Sequence, residues 1–397
     1  MAASTTTLTL PAADGVLSAY SLRHAEPFAP TAPARPFTRI AYSAAHVVAD
    51  PLASVDPWVT ASVDWDATIA YRRRLWSLGL GVAEAMDTAQ RGMGLDWPTS
   101  LELIRRSLDA ARDFPGAVVA SGCGTDHLAA DEATSIDDVI RAYEEQMAAI
   151  EAHGGRLIVM ASRALARVAS GPGDYEHVYD RILMQSRQPV ILHWLGEMFD
   201  PALASYWGSS DVDAAMATAL GVIAANPGKV DGIKISLLDK DREIAMRRRL
   251  PEGVRMYTGD DFNYAELIAG DGVGAAPNQR HSDALLGIFD AIAPAASAAL
   301  SALAGGDDAR FHAILAPTVP LSRHIFQAPT RFYKTGIVFL AWLNGHQSHF
   351  TMVGGQQSAR SIGHFAEIFR LADAARLLEQ PELAVIRMTQ LLAIHGL

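Results

Sequence analysis

One pattern recurs along this chain: a short apolar run of strand length, then a longer segment with helical spacing. The strand-like runs are 38–48, 81–86, 116–124, 156–162, 189–195, 230–236, 254–261 and a weaker eighth at 272–278. Helical spacing follows at 64–79, 97–114, 135–154, 175–186 and 212–226, and a long helix is expected over 281–304. Strand-then-helix units in succession return the chain to the same end of the sheet, so the strands run parallel. Eight such units predict a closed (β/α)8 TIM barrel, an α/β fold. The alternative is an open doubly wound sheet, but no Gly-x-Gly-x-x-Gly follows the first run to support it.

Three regions are expected. Residues 1–36 carry five prolines and read as an irregular N-terminal arm. Residues 37–304 hold the barrel. Residues 305–397 are helical, with segments near 307–325, 330–345 and 359–395, and form a C-terminal extension. The run TGIVFLAWL at 335–343 is more apolar than one docked helix face requires, which predicts a homo-oligomer, a dimer or higher.

Charge narrows the function classes. With 33 basic and 44 acidic residues the formal charge is −11, which argues against a nucleic-acid groove or a polybasic membrane surface. Half the residues are hydrophobic, yet no apolar run approaches the roughly 20 needed to span a bilayer. The single cysteine, Cys123, excludes an intrachain disulfide and fits a reducing compartment. The opening residues lack a basic start and a long apolar core, so a cytoplasmic protein is expected. The expected partner is a small molecule.

Catalytic groups of a parallel barrel sit at the C-terminal ends of its strands. Those ends carry His46, Asp87 with Thr88, Cys123 with Thr125, Ser162, His193, Lys234, Asp260 with Asp261, and Asn278. Lys234 stands out. In KVDGIKISLLDKD, residues 229–241, it lies among Val230, Ile233, Ile235, Leu237 and Leu238. Lysine is rarely enclosed by apolar walls, because its ammonium form loses hydration there. Enclosure favours the neutral amine, a nucleophile that converts a carbonyl into a Schiff base. A lysine snorkelling to the barrel mouth, or paired with an acid such as Asp261, is the structural alternative.

PVILHWLG at 189–196, VDGIKIS at 230–236 and MYTGDD at 256–261 together resemble the dihydrodipicolinate synthase and N-acetylneuraminate lyase family. VDWDATIAYRRRLWSLGLGVAEAM resembles that family's first helix and second strand, and 326–345 the start of its helical tail. The resemblance implies a Schiff-base lysine at Lys234 and a strand-seven motif at Gly259, Asp260 and Asp261. It therefore implies a class I aldolase, lyase or dehydratase acting on a keto-acid or keto-sugar, with no cofactor. The two aspartates fit equally well as a cap for the helix that follows.

Two departures modify the expectation. His193 stands where the family has a proton-relaying tyrosine, and histidine transfers protons near neutral pH. The family's carboxylate-binding loop after strand two is replaced by MDTAQRGMG at 86–94. There Thr88 and Gln90 are candidate substrate donors, while Asp87 would repel a carboxylate unless Arg91 points inward. A neutral polyol or keto-sugar suits that loop better than pyruvate. His46, Asp260 and Asp261 complete the candidate substrate contacts.

Two rival readings remain. A metal-dependent barrel, of sugar isomerase or class II aldolase type, would draw on His46, His127 and His193, or on His346 and His349 at i, i+3. No Glu-x-x-His pair accompanies them. A barrel used only for binding would leave Lys234 and His193 structural.

Overall fold

A computed structural model describes residues 7–12, 14–23 and 26–397. Two strands, β1 (Thr7–Pro11) and β2 (Leu17–Ser21), pair antiparallel as a ribbon. Eight more close into a parallel barrel. They are β3 (Ala41–Ala44), β4 (Gly81–Glu84), β5 (Val119–Cys123), β6 (Arg156–Val159), β7 (Val190–Leu195), β8 (Val230–Ser236), β9 (Arg255–Thr258) and β10 (Asp283–Leu286). Each pairs with the next, and β10 closes on β3.

Seven of the eight expected runs contain a barrel strand; the eighth is a correction. Residues 272–278 form no strand, and β10 lies at Asp283–Leu286, inside the expected long helix. GVGAAPN offers almost no side chain to bury, whereas DALL does, and the helices Ile288–Ala291 and Ala293–Ala304 follow β10 with almost no break. Asn278 therefore does not end a barrel strand. Its amide donates to the carbonyls of Pro251 and Val254, ahead of β9.

Alternation along the strands fills the interior. Tyr42, Ala44, Ala83, Ala120, Ile158, Ile191, Tyr257 and Leu285, from seven different strands, join Met86 in one buried cluster. Side chains from so many strands meet only in the barrel lumen. Alanines from β3, β4 and β5 leave space for Tyr42 and Tyr257, whose ring centroids are 6.1 Å apart. Gly232 is needed beside them, because a methyl there would lie 2.7 Å from Tyr257 Cε2.

Surrounding helices start on sequence-encoded caps. Asp96 caps Trp97–Arg112, Ser135 and Asp138 form a reciprocal capping box for Ile136–Ala152, and Asp239 caps Lys240–Arg247. Glu243 of the last helix is fully enclosed. It accepts hydrogen bonds from Thr258 Oγ1 at 2.9 Å and Ser282 Oγ at 2.6 Å. Burial pushes its carboxyl up to about 8.

The chain divides into two compact units that interleave in sequence. Residues 39–45 and 81–287 form the barrel unit; the described residues up to 38, with 46–80 and 288–397, form the other. In this second unit the arm, expected to be irregular, contains the β1–β2 ribbon. Tyr20 and the Arg23 backbone donate to Asp373 on the helix Ile362–Ala374. The helix Tyr333–Leu343 is buried at all 11 positions. Phe339 packs on Phe365 at 4.8 Å and Trp342 stacks on Phe350 at 5.6 Å. The apolar excess read as a subunit interface is thus covered within its own unit. Among the described residues, no helix is long and apolar enough to cross a membrane.

Candidate active site

Period-two alternation carries the lumen outward toward the strand ends. Ile191 belongs to the interior cluster, so His193, two residues on, faces the same way. Lys234 is the register partner of both His193 and interior Tyr257, which turns it inward too. The next inward residue of β8 is Ser236, whose Oγ lies 3.3 Å from His193 Nε2 in a shared hydrogen bond. Lys234 is 5% exposed and His193 2%.

Burial sets the protonation of this group. Loss of hydration lowers the Lys234 pKa, and the nearby carboxylates of Asp87 and Asp261 recover only part of the fall. His193 is held well below the usual imidazole value, first by burial and then by the charge of Lys234, against a smaller opposing pull from Asp87. A neutral imidazole beside an amine with a depressed pKa is suited to accepting a proton and attacking a carbonyl.

Strand β9 makes room for the lysine. Its chain continues through Gly259, where a methyl would lie 2.2 Å from Ser236 Oγ and 2.7 Å from Lys234 Cε. The aspartates after it divide their tasks. Asp260 accepts from the Phe262 and Asn263 backbones and from Asn263 Nδ2, which closes the turn ahead of the helix Tyr264–Ala269; the N-cap of that helix is Asn263, without a side-chain cap, so the expected aspartate cap does not form. Asp261 is buried and acts electrostatically on Lys234.

The loop after β4 is closed on itself. Gln90 takes a left-handed φ of 64° and its side-chain amide donates to the Met93 carbonyl at 3.4 Å. Thr88 is fully buried and Asp87 half-buried. Arg91 does not point at Asp87. It forms a two-pronged pair with Asp126 at 2.7 and 3.0 Å, reaches the Gly122 carbonyl at 2.6 Å and bonds Gln146. The offset for the Asp87 charge that an inward Arg91 would give is therefore missing.

The remaining expected residues are occupied elsewhere. Cys123 faces the surrounding helix, with its thiol directed at the Tyr143 carbonyl and pushed up to about 12 by burial. Thr125 and Ser162 share a 2.6 Å hydrogen bond, and Ser162 caps the helix Arg163–Val168. His46 belongs to the second unit, where its Nδ1 pairs with Asp290 at 2.8 Å. His346 pairs with Glu379 at 2.9 Å beyond the end of its helix, so it and His349 share no helical face. His127 meets Glu145 at 3.3 Å. Among the described residues no group of three or more His, Cys, Asp or Glu is arranged to hold a metal ion.

Ser236 is the member of this constellation that sequence reasoning missed. Its signal was present in the period-two spacing from Lys234.

The fold is that of the dihydrodipicolinate synthases. A putative dihydrodipicolinate synthetase from Pseudomonas aeruginosa is 14% identical, with 85% of this chain and 99% of that one covered at a TM-score of 0.62. Dihydrodipicolinate synthase from Aquifex aeolicus is 14% identical, with 86% and 99% covered at 0.63. YagE from Escherichia coli K12, a prophage protein of the dihydrodipicolinic acid synthase family solved in complex with pyruvate, is 13% identical, with 86% and 99% covered at 0.64. No curated protein matches the chain in sequence. The model of the family described as "Protein of unknown function (DUF993)" matches residues 8–397, and the chain belongs to that family.

Proposed function

We propose that this protein is a class I lyase that works through a Schiff base on Lys234. The observation that carries the reading is the enclosure of Lys234 in the barrel lumen beside neutral His193. The fold shared with dihydrodipicolinate synthases is consistent with it.

In this mechanism the Lys234 amine adds to a substrate carbonyl, and loss of water leaves an iminium ion. The iminium accepts the electron pair of the neighbouring carbon–carbon bond. As that bond breaks, His193 Nε2 takes the proton from the β-hydroxyl, releasing a carbonyl fragment and leaving an enamine. The same proton then passes from the imidazolium to the enamine carbon, and hydrolysis frees the second product and Lys234. Loss of a β-hydroxyl as water would use the same iminium, with His193 removing the α-proton. Ser236, hydrogen-bonded to Nε2, orients the imidazole for this transfer.

Borohydride reduction in the presence of carbonyl compounds tests the reading. Reduction should fix the compound to the peptide containing Lys234, with the mass of the adduct, and Lys234→Arg should abolish labelling because guanidinium stays protonated. Labelling that persists in Lys234→Arg, on Lys334 for instance, would sink the assignment.

A further inference from the structure

We infer that the barrel unit carries a second binding site, at the end of the barrel away from Lys234, which takes a small monocarboxylate with a short apolar body. The site is a cavity of about 290 Å³ whose lining includes Glu252, Arg255, Met256, Pro277, His281 and Asp283. That volume is at the lower end of the range for small-molecule sites. Arg255 opens β9 and Asp283 opens β10, so the cavity lies where the parallel strands begin. Lys234 and His193 lie in the C-terminal halves of β8 and β7.

The chain itself fixes the cavity walls. Residues 272–278 form no strand, and the turn that ends them is tied down instead. Asn278 donates to the Pro251 and Val254 carbonyls, and Arg247 Nε donates to the Gln279 carbonyl at 3.1 Å. Behind His281 stands Gly270, with a left-handed φ of 77°. A methyl there would lie 2.2 Å from the Arg280 carbonyl oxygen and 2.7 Å from His281 Cβ. Ser282 N–H then donates to the Leu267 carbonyl at 2.9 Å.

Two donors on this lining are unspent. Arg255 gives one long hydrogen bond, 3.4 Å from Nη1 to Asp283, and its Nε stands 3.9 Å from Asp231. Its Nη2 has no partner among the described residues, and neither does the His281 imidazole. Asp283 is already engaged, since it also accepts the Ile40 N–H at 2.7 Å. Burial, and after it the charges of Arg39, Arg247 and Arg255, push the His281 imidazole down to about 4. The field at His281 is therefore positive, and an oxyanion there gains both attraction and hydrogen bonds. Glu252 on the exposed rim, with Asp283, disfavours a second negative charge, which selects a carboxylate over a phosphate dianion. Met256 and Pro277 offer the apolar surface for its body.

NMR of the His281 ring, assigned through His281→Gln, tests this with hexanoate, acetate, inorganic phosphate and hexylammonium in turn. Hexanoate should shift the resonances saturably at millimolar concentration. It should bind about tenfold more tightly than acetate, because its extra methylenes leave water. Arg255→Gln, checked by circular dichroism and melting, should weaken hexanoate about tenfold. Glu252 is exposed and has no hydrogen bond or ion pair among the described residues, so Glu252→Gln should fold normally and bind hexanoate more tightly. Lys234→Arg should respond as the unaltered protein does, which keeps this site separate from the Schiff-base reading. A silent His281 under hexanoate, or an equal response to hexylammonium, would overturn the site. Tighter binding of phosphate than of hexanoate, or unchanged affinity in Glu252→Gln, would overturn the choice of a monocarboxylate.

Discussion

Gly259 stands against the side chain of Lys234: a methyl group on it would come within 2.7 Å of Lys234 Cε and 2.2 Å of Ser236 Oγ. The two residues lie on neighbouring segments of the barrel wall, and the lysine reaches its position only because the other has no side chain. Gly259→Ala should therefore displace Lys234, Ser236 or both. Overpacking of this kind costs about 1–3 kcal/mol. The variant is expected to melt earlier and to lose most borohydride labelling of Lys234; labelling at the unaltered rate would show that the lysine is not confined there.

His193→Phe separates imine formation from proton transfer. Labelling of Lys234 should persist, while exchange of the carbonyl compound's α-hydrogens for deuterium, followed by NMR, should slow by about 10²–10⁴-fold. Ser236→Ala should slow that exchange less and leave labelling intact. Loss of labelling in both variants would assign them to lysine placement instead.

The unaltered protein should keep His193 neutral well below pH 6.5, since burial and Lys234 both depress its pKa. The acid limb of the exchange rate is then expected below the ordinary histidine range. A limb centred on pH 6.5 would contradict a buried, neutral imidazole.

Lys234 should cost stability in exchange for reactivity. Its folded pKa lies below the ordinary 10.5, so between the two values the unfolded chain binds a proton that the folded protein does not. Stability then rises with pH through that window. Lys234→Met is expected to melt higher at neutral pH, with an advantage that shrinks as pH approaches 10.5. Each tenfold loss of proton affinity on folding corresponds to about 1.4 kcal/mol. A lower melting temperature for the variant at pH 7 would show that the amine is not destabilising.

Glu243 makes the opposite pH dependence. Its folded value of about 8 lies above the ordinary 4.5, so from pH 4.5 to 8 the folded protein holds a proton that the unfolded chain has lost. Stability falls across that range. Glu243→Gln keeps the shape and removes the titration, so its melting temperature relative to the unaltered protein should climb from pH 4.5 to 8. The relative gain at pH 8 should be about a few kcal/mol. A difference that does not vary with pH would mean that Glu243 titrates normally.

Local pattern along the chain was enough to specify the barrel and the direction of its central residues. Apolar runs alternating with capped helices define parallel strand units, and the period of two then carries Ile191 to His193 and aligns Lys234 with them. These regularities are legible one segment at a time. The eighth strand was not, because DALL runs on into helix with almost no break and no local signal marks where one becomes the other. The direction of Arg91 was equally hidden, since its partner Asp126 lies 35 residues away. So were the division of labour between Asp260 and Asp261 and the covering of the apolar helix at 333–343. Each depends on which distant group supplies a charge, a donor or a packing surface, and those groups meet only once the chain has folded.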